Sequence, residues 1–160
     1  MVTVFLSCLL IFLGEQLLAT GEQNKPFATG WGKVKSTDPL LSDDLKQIAL
    51  PVRSQDDKYC RVIESEHHGI LTDRMMCAGY ADGSLDTCKG DSGGPLVRKW
   101  RPSGDSSNMT APGTAPQWQE RWYQIGIISW GESCAKPGHY GYYTHLPILV
   151  SWVKEVAGID

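Results

Sequence analysis

The sequence predicts an all-β domain, one six-stranded antiparallel barrel finished by a C-terminal helix. Short apolar runs bounded by Gly, Pro, Asn and Asp recur from residue 28 to residue 146, the pattern of strands joined by turns. Six such runs suit one antiparallel barrel. After them Pro147 opens a stretch in which Leu149, Trp152, Val153 and Val156 recur at helical spacing. That spacing predicts a helix that packs those four side chains as one face.

The first element is a different kind of sequence. Residues Val2 to Leu13 are apolar except for Thr3, Ser7 and Cys8, and the chain turns polar around Glu15 and Thr20-Gly21. The run is too short for a bilayer span of about 20 residues, so residues 1–20 are expected to be a secretory signal peptide cleaved after Ala19 or Thr20. A retained anchor and a mis-joined first exon are the alternatives. Cleavage leaves residues 21–160 as one secreted, extracellular domain with no membrane attachment. Its strands are expected at Ala28 to Val34, Leu45 to Pro51, Met75 to Ala78, Pro95 to Trp100, Trp122 to Trp130 and Gly141 to Leu146. Between the fourth and fifth, Arg101 to Glu120 is rich in Ser, Pro and Gly and is expected to be a hairpin insertion. It holds Asn108-Met109-Thr110, a glycosylation sequon that fits secretion.

Composition agrees with one globular core: 160 residues, 41% hydrophobic and 21% charged. A net charge of -3 gives no basic stripe for nucleic acid. His67, His68, His139 and His145 have no second ligand at metal spacing, so no zinc is expected.

The chemistry lies in Gly90-Asp91-Ser92-Gly93-Gly94-Pro95. A serine hydroxyl is a poor nucleophile unless a base takes its proton and N–H groups face the developing oxyanion. The glycines let the backbone turn and bring the N–H groups of Gly90 and Ser92 to one point. The spacing Gly90-x-Ser92-x-Gly94 also fits a nucleophile elbow between a strand and a helix. Its flanks exclude that reading, since a Gly-rich, non-strand stretch precedes the run and the strand-like Pro95-Leu96-Val97 follows it.

With Thr29-Gly30-Trp31-Gly32, Met76-Cys77-Ala78-Gly79-Tyr80, Asp86-Thr87-Cys88-Lys89, Ser129-Trp130-Gly131 and Trp152, this run resembles the trypsin and chymotrypsin family of serine proteases. The resemblance covers nearly everything after residue 27 and lies in the second of that fold's two Greek-key barrels. It implies that Ser92 is the nucleophile, that Gly90 and Ser92 donate to the oxyanion, and that Ser129, Trp130 and Gly131 bind the substrate main chain as an added strand. It places Asp86 at the base of the specificity pocket, with Gly131 and Gly141 as open walls. A carboxylate there implies polypeptide substrates or inhibitors carrying Arg or Lys. Lys89 at the rim is expected to favour acidic neighbours.

The resemblance also implies the bridges Cys60 with Cys77 and Cys88 with Cys134. The fifth cysteine, Cys8, leaves with the signal peptide, and a third family bridge is replaced by Pro26 and Arg98. Arg121 to Trp130 and Tyr143-Thr144-His145 look closest to thrombin-like members. In those members a tyrosine at the position of Tyr140 accompanies a sodium site, which here would use the carbonyls of Lys136 and His139. No other cofactor is implied.

The departures matter as much. The family's base histidine and orienting aspartate belong to the first barrel, and the chain passes from leader to second barrel without them. None of the four histidines aligns with the base. Its loss costs on the order of a millionfold in turnover in subtilisin. The family also pairs a freed Ile-type N-terminus with the aspartate beside the serine, here Asp91, so a zymogen-like, loosely ordered pocket is expected. Ser129 is expected to lack its usual buried carboxylate neighbour. The favoured expectation is therefore a truncated, secreted trypsin-like endopeptidase domain, inactive as given. Its alternatives are a secreted non-catalytic homologue that binds basic peptides or inhibitors, and complementation in trans by a chain carrying the missing N-terminal barrel.

Overall fold

The computed structural model describes residues 25–62, 71–100 and 121–159. The expected leader, His67, His68 and the Asn108 sequon lie outside them. The elements are β1 (Phe27–Gly30), β2 (Lys46–Ala49), β3 (Val52–Arg53), β4 (Met75–Ala78), β5 (Pro95–Trp100), β6 (Arg121–Trp130), β7 (Gly141–His145) and helix α1 (Leu146–Ala157). The strands form one sheet in the order β2-β1-β5-β6-β7-β4-β3, and every pairing is antiparallel.

One expected strand, Leu45 to Pro51, supplies both ends of that order. Its first part pairs with β1, Ala49 opposite Phe27, and its continuation pairs with β4, Val52 opposite Ala78. Leu50 and Pro51 form the corner between them. The Leu50 N–H donates to the Pro26 carbonyl and the Gly79 N–H donates to the Pro51 carbonyl, so the backbone stays hydrogen-bonded through the bend. The strand that starts the sheet thus also ends it, which bends the sheet into the barrel and raises the strand number from the expected six. Leu50 is fully buried at this corner.

Strand β1 stops at Gly30, short of the expected Val34. The Gly32 N–H goes to the Asp91 carboxylate and the Lys33 N–H to the Lys89 carbonyl, so neither is available to a ladder.

The core has two parts that meet at β7. Ala28, Leu50, Met76, Ala78, Leu96, Ile128 and Tyr143 form one; Cys60, Cys77, Tyr140 and Tyr142 form the other. Successive strand residues point to opposite faces, so Tyr142 and Tyr143 serve different clusters. The Tyr142 hydroxyl donates to the Cys60 carbonyl at 2.7 Å. Both implied disulfides are present, Cys60–Cys77 with Cα atoms 5.9 Å apart and Cys88–Cys134 at 5.1 Å.

Helix α1 departs from the expected face. Val150 is the buried residue, whereas Trp152 and Val156 are 60% and 67% exposed. Leu146, Ile148, Leu149, Val150, Trp152, Val153 and Val156 are all apolar, so more than one stripe satisfies the helical period. Packing against β6 selects the one centred on Val150. Gly158, at φ 64°, closes the helix, and the Ile159 N–H donates to the Lys154 carbonyl, a glycine-terminated helix end.

Candidate active site

The turn before β5 is held by its own backbone. Asp91 N–H donates to the Cys88 carbonyl, Gly94 N–H to the Asp91 carbonyl, and Gly93 N–H to the Ile128 carbonyl of β6. Gly90 and Gly93 have φ of 100° and 84°, a region that side-chain-bearing residues rarely adopt. The Asp91 side chain turns inward. Its Oδ1 accepts the Gly32 N–H at 2.7 Å and its Oδ2 accepts the Cys88 N–H at 2.9 Å. A side chain on Gly30 or Gly32 would collide with this carboxylate, which accounts for both glycines of Gly30-Trp31-Gly32.

Ser92 faces outward and is exposed. Its Oγ donates to the Ser129 carbonyl at 3.4 Å. Among the described residues no imidazole or carboxylate meets this hydroxyl. The Nδ1 atoms of His139 and His145 lie 3.1 Å from the carbonyls of Pro137 and Asp73.

Strand β6 runs past the start of β5. The pairing with β5 begins at Pro95 opposite Ile127, and the register against β7 shifts between Ile128 and Trp130. Ser129 occupies that bulge, a feature that re-aims a strand locally. Beyond Ile128 the β5 side of β6 carries no strand among the described residues, while on the other side Trp130 stacks on Tyr142 with ring centroids 4.1 Å apart. Ser129 to Gly131 thus present an open backbone edge beside Ser92.

Asp86 lies on the segment tied to residue 134 by the Cys88 bridge. Its Oδ1 accepts the Thr87 N–H at 2.8 Å and its Oδ2 accepts the Ala135 N–H at 2.9 Å. Burial pushes its pKa up to about 6, and the charge of Asp91 adds to the rise, against the pull of the two N–H groups. The glycines beside it leave room. A Cβ on Gly141 would come 3.1 Å from the Asp86 carboxylate, and one on Gly131 would lie 3.9 Å from the Gly141 Cα. The structure therefore brings Asp86, Gly131 and Gly141 together.

Two neighbours of this cluster carried no separate sequence signal. Tyr143 hydrogen-bonds through its hydroxyl to Thr87 Oγ1 at 3.0 Å, and burial raises its phenol pKa, so it stays neutral. Ala135 reaches the Asp86 carboxylate from a backbone at φ 57°, which no residue type there announces.

Tyr140 is buried. Its hydroxyl donates to Asp57 Oδ2 at 3.2 Å, its ring meets Tyr59 edge-on at 5.9 Å, and the Arg53 guanidinium lies 5.4 Å from its centroid. The Lys136 carbonyl accepts the His139 N–H. Among the described residues no group of acidic, His and Cys side chains gathers to hold a metal.

The structure thus joins an exposed serine on a glycine turn, an open strand edge and a half-buried carboxylate on an antiparallel barrel. The family model described as Trypsin matches residues 14–153, and the chain belongs to the trypsin family of serine proteases. It is 34% identical over 150 residues to human transmembrane protease serine 5, covering 91% of this chain and 28% of the relative. It is 34% identical over 149 residues to rat transmembrane protease serine 11G, covering 93% and 31%. Human serine protease 41 is 33% identical over 132 residues, covering 81% and 36%. The chain thus spans about a third of the length of the relatives it matches. The family match opens at residue 14, inside the expected leader. No helix among the described residues is long and apolar enough to cross a membrane.

Proposed function

We propose that this chain carries the nucleophile and specificity half of a trypsin-like serine endopeptidase that acts on polypeptides after Arg or Lys. The observation that carries the reading is Asp86, a desolvated carboxylate at the end of a slot kept open by Gly131 and Gly141. A guanidinium or ammonium supplies the charge such a group lacks, and an apolar side chain leaves it unpaired. Ser129 to Gly131 would take the substrate backbone, and the N–H groups of Gly90 and Ser92 would face the oxyanion.

Turnover needs a base, and no imidazole of the described residues meets Ser92. Completion of the triad therefore calls for a first barrel, in a longer product or in trans. The second reading, a non-catalytic module that captures basic peptides or inhibitors through the same slot and edge, is favoured by the lack of an imidazole at Ser92 among the described residues. The relatives named as transmembrane proteases and the leader-like first residues support action at or outside the cell surface, with Asn108 glycosylated. A sodium ion on the carbonyls of Lys136 and His139 is a separable part of the proposal; exchanging Na+ for choline would then weaken ligand binding.

The test is amidolysis of Arg and Lys peptide substrates, beside binding of p-aminobenzamidine, on the oxidised chain. Binding without turnover supports the capture reading for this chain. Turnover that Ser92→Ala abolishes shows that a base is supplied. Binding that is indifferent to Asp86→Asn overturns the specificity assignment.

A further inference from the structure

Asp86 and Asp91 border a cavity of about 510 Å³ beside β1 and β2. Neither carboxylate pairs with a cation among the described residues, and the charge of Asp91 helps to raise the pKa of Asp86. Two partly enclosed carboxylates side by side favour capture of a positive charge. The cavity wall carries three candidates, Lys33, Lys35 and Lys46.

Strand register singles out Lys46, which lies directly opposite Gly30 in the β1 to β2 pairing. Side chains of opposed residues stand on the same face, with Cβ atoms about 5 Å apart. At Gly30 the place of that Cβ is filled by Asp91, whose Oδ1 a side chain there would strike. The Lys46 stem therefore starts about 5 Å from the Asp91 carboxylate, within reach of a four-carbon side chain. Ile48, two residues on, packs against the core, so Lys46 also stands on the inward face of β2. Its ammonium instead reaches outward to Asp44 at 3.5 Å, a contact in which both side chains are more than half exposed. Such a pair is easily exchanged for another. Lys33 and Lys35 belong to the irregular segment between the strands, where no register aims them.

We propose that Lys46 is a positioning residue for Asp91. Its ammonium turns from Asp44 into the cavity and pairs with the Asp91 carboxylate, so that the 88–92 turn is fixed by a charge from within the chain. The proposal rests on the reading above that this turn presents the oxyanion donors and borders the cation slot.

The test uses the full chain with both disulfides closed. Amine acetylation is followed residue by residue by mass spectrometry, in the parent and in Asp91→Asn. Lys46 is expected to react several-fold more slowly than Lys33 and Lys35, and to lose that protection in Asp91→Asn. In parallel, Lys46→Met is expected to weaken p-aminobenzamidine binding about tenfold, the effect of losing a partly buried ion pair, whereas Lys46→Arg stays near the parent. Equal acetylation of the three lysines, unaffected by Asp91→Asn, overturns the proposal. So does an unchanged affinity in Lys46→Met when Asp91→Asn weakens binding, since another cation then serves Asp91. If p-aminobenzamidine binding survives Asp86→Asn, the slot reading fails by itself, and the acetylation result still decides Lys46.

Discussion

Replacing Asp86 by Asn should stabilise the fold at pH 8 while removing its affinity for cations. In the folded chain the carboxyl holds its proton up to about 6, against an ordinary value of 3.8. A carboxyl with a raised folded pKa binds its proton more tightly in the native state. Its favourable contribution is complete below about pH 4 and is lost as pH climbs through 6. The gap of about two pKa units corresponds to about 3 kcal/mol against folding at pH 8. Asparagine removes the charge and keeps one oxygen for the Thr87 or the Ala135 N–H, at a cost of about 1 kcal/mol for the other hydrogen bond. The net expectation is a gain of about 2 kcal/mol at pH 8 that disappears near pH 4. Guanidinium unfolding of the oxidised chain, followed by tryptophan fluorescence at both pH values, measures it. For the parent, p-aminobenzamidine affinity should also fall about tenfold between pH 7 and pH 5 as the carboxylate is protonated. An Asn variant destabilised to the same extent at both pH values would refute the reasoning and leave Asp86 as a mere cap for the Ala135 N–H.

Three other expectations follow from the geometry. Gly30→Ala drives a methyl into the Asp91 carboxylate and should cost about 1 to 3 kcal/mol by overpacking, readable in the same unfolding assay. A Cβ at Gly131 makes only ordinary van der Waals contacts, 3.9 Å from the Gly141 Cα and 4.0 Å from the Ser133 carbonyl, so Gly131→Val should change stability by less than about 0.5 kcal/mol while calorimetry finds p-aminobenzamidine binding lost. Replacing Cys60 and Cys77 together by Ser opens a loop with a sequence separation of 17 and should lower stability by about 3 kcal/mol, measured as a shifted denaturant midpoint.

Several strands and the glycine turn at Ser92 were legible because their signals are local. Gly90 to Pro95 states its turn in its own composition, and the apolar runs at Met75–Ala78 and Pro95–Trp100 become strands with the expected bounds. The partition of Leu45 to Pro51 was not legible, because a bend that transfers pairing from β1 to β4 is set by where the two partner strands lie. The face of α1 was hidden for the opposite reason, an excess of apolar positions that fit several stripes. Within the site, Asp91 could be named from the motif, but its acceptance of the Gly32 N–H spans a sequence separation of 59 that no local pattern encodes. Tyr140 was named from its aligned position alone, and its packing in the core with Tyr142 and the Cys60 bridge depends on contacts with residues far away in sequence, such as Asp57.

The corner at Leu50 and Pro51 bears on how this sheet meets other chains. The strand that joins both ends of the sheet leaves unpaired sides of only four residues on β2 and two on β3, interrupted by a proline. Edges so short and bent offer poor templates for a foreign strand. The barrel thereby guards itself against indiscriminate association and leaves an open edge at Ser129 to Gly131, beside the Ser92 turn.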